Sequence, residues 1–269
     1  MNRNPLISVV MGVYNIGNRP MLERAVDSIL NQSYDNFEFI ICDDASTDDT
    51  YKWLLELKKK DKRIILLRNE KNHTLAITLN RCIYHSKGEY IARQDADDIS
   101  EPERFKKQIA FLEDNRHISF AGTNCYLYNE KQGRFSCRIM PQYPECEDFM
   151  FNSPFVHGSM VFRRECFNSY SYEVSEMTGR YEDYSMFMKM YADGLRGANL
   201  QQNLYGFHYD SDVRSVSLMH RIAEAGIRYK GFSEMNLMPR AVPYIIKPVV
   251  LGLIPKKTLN SIKKKLNKE

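Results

Sequence analysis

The chain has 269 residues, 43% of them hydrophobic and 27% charged. This balance suits one large folded domain and excludes a disordered protein. The net charge of +4 is unevenly spread, because residues 240–269 hold eight basic residues and one acidic residue, and the first 239 residues therefore carry −3. An acidic body with a basic end is not the pattern of a nucleic-acid-binding face.

The first half of the chain alternates strand and helix patterns. Residues 6–13 form a continuous apolar run, as expected of a strand that is buried on both faces. The predicted elements that follow are a helix at 20–30, a strand at 37–42, a helix opening at Thr47, a strand at 63–67, a helix at 75–84, a strand at 89–92 and a helix at 101–112. This order predicts an α/β fold with a Rossmann-like, mostly parallel central sheet, right-handed crossovers and helices on both faces.

After residue 115 the alternation loosens, which indicates a smaller region with a mixed sheet. Strands are predicted at 120–128, 134–140 and 158–162, and helices at 145–151, 182–193 and 215–229. We expect one domain in two halves, 1–115 and 116–235, followed by a basic C-terminal tail at 236–269.

No export signal or membrane-spanning run is evident, because residues 1–5 are polar and no apolar run reaches the roughly 20 residues that a bilayer requires. A cytoplasmic location is therefore expected. The six cysteines include no C-x-x-C pair and are expected to be free thiols. A bridge or metal pair between Cys137 and Cys146 stays open as the alternative.

Polar clusters follow three predicted strands at the points where these strands end. They are Tyr14-Asn15, Asp43-Asp44 and the run Asp95-Ala96-Asp97-Asp98. Ligands of parallel α/β sheets lie beyond the carboxyl ends of the strands, so these clusters are expected to meet in one crevice.

Three carboxylates within four residues suit a hard divalent cation that bridges to a diphosphate. A solvated acidic loop that caps the next helix is the alternative. Ser46 or Thr47 is the expected N-cap of the second helix, which leaves Asp43 and Asp44 free to accept hydrogen bonds from a base or a ribose. Neither G-x-G-x-x-G nor a P-loop motif is present, so metal and cations must hold the diphosphate.

Taken together, residues 7–15, Asp43 to Asp48, and residues 88–92 leading into Asp95 to Asp98 resemble the family 2 glycosyltransferases. The resemblance extends over about residues 5–220, and the nearest kin are bacterial enzymes that build capsular or exopolysaccharide units. It implies a GT-A fold, a nucleotide-diphosphate sugar donor, a divalent metal (Mn²⁺ or Mg²⁺) and inversion at the anomeric centre.

The resemblance also implies roles for individual residues of the donor site. Asp95 and Asp97 match the family's D-x-D motif, in which the last carboxylate binds the metal, and Asp98 is expected to share that task. Asp44 matches an aspartate that hydrogen-bonds uracil, with Asp43 as its neighbour. The residues that match the first nucleotide-binding loop are Gly12, Tyr14 and Asn15. Tyr14 could equally be a residue at the edge of the core.

On the acceptor side, Glu182-Asp183 matches the E-D pair in which the aspartate is the catalytic base, with Glu182 as a support or acceptor contact. From spacing alone, Asp183 would read as a helix N-terminal charge. His157 and Arg163 match an acceptor-side segment, and His208 stands where some relatives have a metal-site histidine. A packed, hydrogen-bonded His208 is the alternative. The family often has glycine where Ala45 stands.

The C-terminal tail mixes apolar residues with lysines, and residues 258–266 can form a short amphipathic helix. Such a segment suits peripheral contact with an anionic inner-membrane surface, although docking on the domain remains open. The sequence thus favours a metal-dependent inverting glycosyltransferase, and we expect its saccharide acceptor to be lipid-linked. A sugar-phosphate nucleotidyltransferase and a non-catalytic nucleotide-binding scaffold are the rivals.

Overall fold

The computed structural model describes residues 4–174, 181–209 and 217–253. Its strands are β1 Ile7–Val13, β2 Phe37–Asp43, β3 Ile64–Arg68, β4 Tyr90–Arg93, β5 Ile99–Ser100, β6 Phe120–Asn129, β7 Gly133–Arg138, β8 Val161–Arg163 and β9 Gly197–His208. Its α-helices are α1 Arg19–Leu30, α2 Thr50–Lys60, α3 Leu75–His85, α4 Arg104–Asp114, α5 Glu182–Ala192, α6 Leu218–Glu234 and α7 Val242–Leu253. Short 3-10 turns occupy Cys146–Met150, His157–Ser159 and Arg164–Asn168.

A single sheet runs through both halves of the chain in the order β3-β2-β1-β4-β8-β6-β9-β5, with β7 paired to β6. The strands β1 to β4 are parallel, whereas β8 is antiparallel to β4 and to β6, and β9 is parallel to β6. The α/β prediction, with a parallel first half and a mixed second half, is confirmed.

The core has two layers because the strands of the first half are apolar on both faces. Ile7, Val9 and Met11 of β1 pack with α1, α2 and α4 on one face of the sheet. Val10 of the same strand belongs to the other layer, with α3, α5 and α6. Alternation of side chains along a strand therefore anchors helices on both sides and fixes where each strand ends.

Several predicted boundaries change in the structure. The second helix begins at Thr50 rather than at Thr47. The predicted strand at 158–162 is a 3-10 turn over His157–Ser159 followed by β8. The sequence analysis did not identify β9 or α7, and the predicted tail helix at 258–266 lies outside the described residues. All six cysteines are free thiols.

Candidate active site

Asn15 joins the loops that follow β1 and β2. Its backbone N–H donates to Ser46 Oγ at 3.0 Å, and its side-chain oxygen accepts the Thr47 N–H at 2.8 Å. Ser46 and Thr47 therefore bind the first loop instead of capping α2, which corrects the expectation from sequence. Asn15 adopts a left-handed backbone (φ 42°), which asparagine tolerates better than most residues.

A slot of about 240 Å³ lies between the end of β1 and the start of α3. Gly12 lines it, and a Cβ there would stand 3.0 Å from the Leu75 side chain and 3.1 Å from that of Thr78. Glycine thus allows β1 to approach α3 closely. Tyr14 also lines the slot with 47% of its surface exposed, so it is not a residue of the core edge.

Asp44 lies in the wall of this slot as a fixed, buried carboxylate. It accepts hydrogen bonds from Asn69 Nδ2 at 2.7 Å, from Asn72 Nδ2 at 3.0 Å and from the His73 N–H at 3.1 Å. Three donors hold its orientation, and a carboxylate has capacity for about four. The position of the Asp44 carboxylate in the slot is therefore fixed by the protein itself.

Asp43 has different neighbours from Asp44. One of its oxygens faces Arg68 Nε at 3.1 Å, and the Arg68 guanidinium also lies over the Tyr51 ring at 4.1 Å. The other oxygen is buried and has no hydrogen-bond partner among the described residues. Asp43 supports the second loop, since it also accepts the Ser46 N–H at 3.2 Å.

The acidic run after β4 is anchored by a buried arginine and a buried tyrosine. Asp95 Oδ1 lies 2.5 Å from Nη2 of Arg93, which is only 1% exposed. The Asp95 N–H donates to the Tyr205 hydroxyl at 3.2 Å. Gly158 lies against both groups, because a Cβ there would stand 2.0 Å from that hydroxyl and 2.7 Å from Asp95 Oδ2. Only glycine fits at this position.

Asp98 and His208 both form hydrogen bonds with other groups of the protein. Asp98 is buried and accepts the His208 N–H at 2.7 Å, and burial together with Asp95 and Asp97 raises its pKa well above the ordinary value. The His208 ring lies 3.1 Å from a Glu130 oxygen. The structure thus gives His208 hydrogen-bonded partners, as in the packed alternative. Its ring packs on Tyr128, whose hydroxyl donates to the Asp97 carbonyl, so the ring also lies near the acidic run and its role beside a metal stays a prediction.

The acidic run fits a divalent cation by the chemistry of its donors. Burial and the charge of Asp95 raise the pKa of Asp97, which means that two carboxylates repel each other in a partly dehydrated place. A hard cation would relieve this repulsion through oxygen ligands. Within the described ranges, no three His, Cys, Asp or Glu side chains converge as a complete metal site, so further ligands would come from a bound diphosphate and water.

A larger pocket of about 820 Å³ contains Asp95, Asp183 and His157 together. Burial and the adjacent Glu182 carboxylate raise the pKa of Asp183 to about 7. Glu182 is itself buried, and its Oε2 has no partner among the described residues. His157 Nε2 lies 2.7 Å from the Tyr172 hydroxyl, and burial and Arg93 hold the pKa of His157 well below its ordinary value. The pocket therefore combines a neutral imidazole with a carboxyl group that titrates near neutral pH.

Arg163 is not part of this pocket, contrary to the expectation of an acceptor-side role. It pairs with Tyr90 at the amino end of β4, which is the opposite edge of the sheet. Its guanidinium donates to the Ile118 carbonyl, the Tyr90 hydroxyl and the Leu112 carbonyl. Its donors are thus used to tie β8 to the end of α4.

The sequence analysis missed three residues that shape the site, namely Arg93, Gly158 and Tyr205. Arg93 carried a usable signal, because a charged residue ends a buried four-residue strand two positions before the acidic run. Gly158 and Tyr205 had no comparable signal. They meet Asp95 through tertiary contacts, because Gly158 lies in the turn before β8, which pairs with β4, and Tyr205 lies on β9, which is separated from β4 by β8 and β6.

Comparison with known proteins agrees with this geometry. The family model for glycosyl transferase family 2 matches residues 8–179. The chain belongs to glycosyl transferase family 2. Among its relatives is EpsE of Bacillus subtilis, which is named as a glycosyltransferase; the two are 38% identical over 268 residues, covering 98% of this chain and 95% of EpsE.

Another relative of this family 2 glycosyltransferase is WfaP of Escherichia coli. WfaP is named as a UDP-Glc:α-D-GlcNAc-diphosphoundecaprenol β-1,3-glucosyltransferase; it is 31% identical over 227 residues, covering 79% of this chain and 80% of WfaP.

Solved structures confirm the GT-A fold of this family 2 glycosyltransferase. Staphylococcus aureus TarS 1–349 with UDP-GlcNAc superposes with a TM-score of 0.69 at 17% identity, covering 90% of this chain and 72% of TarS 1–349. The mannosyltransferase PcManGT of Pyrobaculum calidifontis with GDP-Man and Mn²⁺ superposes with a TM-score of 0.66 at 17% identity. The match covers 100% of this chain and 82% of PcManGT. At this identity the likeness concerns the fold alone. No helix within the three described ranges has the length and apolar character needed to span a membrane.

Proposed function

We propose that this family 2 glycosyltransferase moves a sugar from a nucleotide-diphosphate donor, first of all a UDP-sugar, to a saccharide acceptor with inversion. The observation that carries the proposal is the pocket shared by Asp95 and Asp183, in which a carboxyl group with a pKa of about 7 faces the acidic run. A general base works best when its pKa lies near the operating pH.

The donor would lie along the edge from the slot to the acidic run. The nucleoside would occupy the slot beside Asp44, Gly12 and Tyr14. A divalent cation, Mn²⁺ or Mg²⁺, held by Asp97 with Asp95 beside it would supply Lewis-acid stabilisation to the departing diphosphate. The hydrogen bonds to Asp44 already fix this wall of the slot, so little conformational entropy would be lost there when the donor binds.

Asp183 would receive the proton of the acceptor hydroxyl as that oxygen attacks the anomeric carbon. The new C–O bond forms on the face opposite the sugar–phosphate bond, whose electron pair leaves with the nucleoside diphosphate. One displacement of this kind inverts the anomeric centre. Glu182 supports the step because its charge raises the pKa of Asp183, and His157 is placed to position the acceptor as a neutral hydrogen-bonding group.

We further propose a lipid-linked saccharide acceptor in surface polysaccharide assembly, supported by the diphosphoundecaprenol acceptor in the name of WfaP. Peripheral contact of the basic tail at 236–269 with the cytoplasmic membrane face belongs to the same proposal. The scaffold rival would predict binding without turnover, and the nucleotidyltransferase rival would predict release of diphosphate from a nucleoside triphosphate.

Calorimetric titration of UDP with Mn²⁺ and then with EDTA tests the donor site, with GDP and dTDP alongside. We expect metal-dependent UDP binding that Asp97→Ala abolishes. Asp114→Ala is the matched control and should change the dissociation constant less than about threefold, because Asp114 is exposed at the end of α4 and lines neither the slot nor the pocket. UDP binding that is indifferent to EDTA and to Asp97→Ala would remove the metal from the proposal.

A further inference from the structure

The outward side of α7 carries an apolar stripe with no partner among the described residues. Ile246, Val250 and Leu253 are 52%, 49% and 67% exposed. At 100° per residue these three positions lie within an arc of about 60°, while Pro248 on the other side of the helix is buried. An amphipathic helix in a folded protein normally turns such a stripe inward.

The neighbouring helix α6 extends this stripe. Met219 and Ile222, near its start, are 73% and 47% exposed. The two helices meet at this end, because a Cβ on Gly252 would lie 3.1 Å from the Leu218 side chain and 3.1 Å from that of Arg221. The outer face is defined here as Met219, Ile222, Ile246, Val250 and Leu253. Single exposed apolar residues are ordinary, but a grouped set marks an interaction surface.

The charge next to the outer face in the structure, and next to α7 in the sequence, is positive. Lys247 is the single charged residue within α7 and is exposed beside the stripe. The sequence from residue 240 onward holds eight basic residues and one acidic residue, whereas the rest of the chain carries −3. Apolar side chains next to a cationic segment complement an anionic lipid surface. A second copy of the chain is a poorer occupant, since a two-fold contact would bring two such cationic segments together.

Helix α6, which carries part of the outer face, also contributes to the wall of the catalytic pocket. Glu224 and Arg228 of α6 line the pocket that holds Asp183. The Tyr244 ring of α7 packs on the Phe151 ring at 5.2 Å, and Phe151 adjoins the pocket residue Asn152. A lipid surface that bound α6 and α7 would therefore also lie next to this wall of the pocket.

We infer that the outer face of α6 and α7 docks on an anionic lipid bilayer and presents the pocket to acceptors carried there. The role in acceptor delivery rests on the proposed function, whereas the docking itself does not. The inference goes beyond the proposed contact of the tail at 236–269, because it names three apolar residues of α7 within that segment and adds Met219 and Ile222 of α6, which lie outside it.

Flotation of the full-length chain with vesicles tests the inference, using phosphatidylcholine with and without phosphatidylglycerol. We expect binding to the anionic vesicles that the double variant Ile246→Glu/Val250→Glu weakens at least tenfold. Met219→Glu/Ile222→Glu repeats the test from the other helix. Tyr84→Glu is the matched control, because Tyr84 is 84% exposed on α3 and lies outside the outer face. Thermal unfolding checks that each variant is folded.

Failure of the wild type to bind anionic vesicles overturns the inference. So does equal binding by wild type and both outer-face variants, which would assign the contact to the lysines after residue 253. A wild-type dimer that these variants convert to a monomer, with vesicle binding unchanged, would assign the face to a second copy. Vesicle binding without any nucleotide binding would preserve the docking surface and reject the proposed function, so the two failures are distinguishable.

Discussion

The proposed nucleotide slot beside Asp44 and the proposed catalytic pocket around Asp183 differ in how their charged groups are held. In the slot, three donors hold the Asp44 carboxylate. At the pocket and in the residues next to it, burial and like charges raise the pKa values of Asp97, Glu182 and Asp183, and one Glu182 oxygen has no partner among the described residues. The proposed binding site therefore has its hydrogen bonds formed in advance, whereas the proposed site of proton transfer keeps its carboxyl groups dehydrated, with raised pKa values.

The largest expected effect concerns the base of the pocket. Asp183→Asn keeps the shape of the side chain but removes the proton acceptor, so we expect turnover to fall about 10³-fold with UDP affinity unchanged. Measurement of nucleoside diphosphate release alongside UDP calorimetry checks this.

Asp193→Asn is the control just after the end of the same helix, where the exposed Asp193 carboxylate accepts a hydrogen bond from the Tyr170 hydroxyl. Full activity in Asp183→Asn, or equal losses in both variants, would reject Asp183 as the base.

The second-largest expected effect concerns Gly158, which lies against Asp95 of the acidic run. Gly158→Ala places a methyl group within 2.0 Å of the Tyr205 hydroxyl and 2.7 Å of Asp95 Oδ2. We expect a loss of about 2 kcal/mol in the free energy of unfolding and a large loss of turnover, because Asp95 must move. Urea unfolding and activity assays measure both.

Gly252→Ala is the control for the glycine substitution, since its Cβ would touch only side chains at 3.1 Å or more. Comparable destabilisation by the two variants would contradict the close contact at Gly158.

The third prediction distinguishes the pocket from the slot by the pH dependence of turnover and of UDP affinity. Because Asp183 acts deprotonated and its pKa lies at about 7, turnover should fall about tenfold per unit below pH 7 and level off above it. Glu182→Gln removes a negative neighbour, so it should shift this limb to lower pH by about half a unit or more. UDP affinity measured over the same range should change less. An acid limb near pH 4, or one that Glu182→Gln leaves in place, would contradict the assignment.

The smallest effect lies in the second loop of the slot. Ala45 adopts a φ of 60°, a left-handed conformation that costs a residue with a Cβ about 1 kcal/mol. Ala45→Gly should therefore raise the free energy of unfolding by up to about 1 kcal/mol without changing turnover. Ala25→Gly, in the buried middle of α1, should do the opposite. Destabilisation by Ala45→Gly would show that the loop is unstrained.

Much of the fold could be predicted because its first half is governed by local patterns. Apolar runs and helical spacings marked β1 to β4 and α1 to α4, and polar clusters at the strand ends located the crevice. The prediction missed β9 because its polar middle, Gln201 to Asn203, is exposed and breaks the apolar pattern. The prediction for α2 began too early because Ser46 and Thr47 resemble caps but bind Asn15, a contact between distant residues.

The sequence by itself determined the chemistry available at the site: Asp95 to Asp98 after a buried strand, Asp43-Asp44 after another, and Glu182-Asp183 at a helix start. These features are local, because a strand end and its loop are neighbours along the chain. Only the tertiary structure decided which groups share a pocket, that Arg163 lies at the opposite edge, and that Arg93, Gly158 and Tyr205 meet at Asp95. Desolvation depends on everything packed around a group, so the pKa of Asp183 near 7 follows from the fold and not from its neighbours in sequence alone.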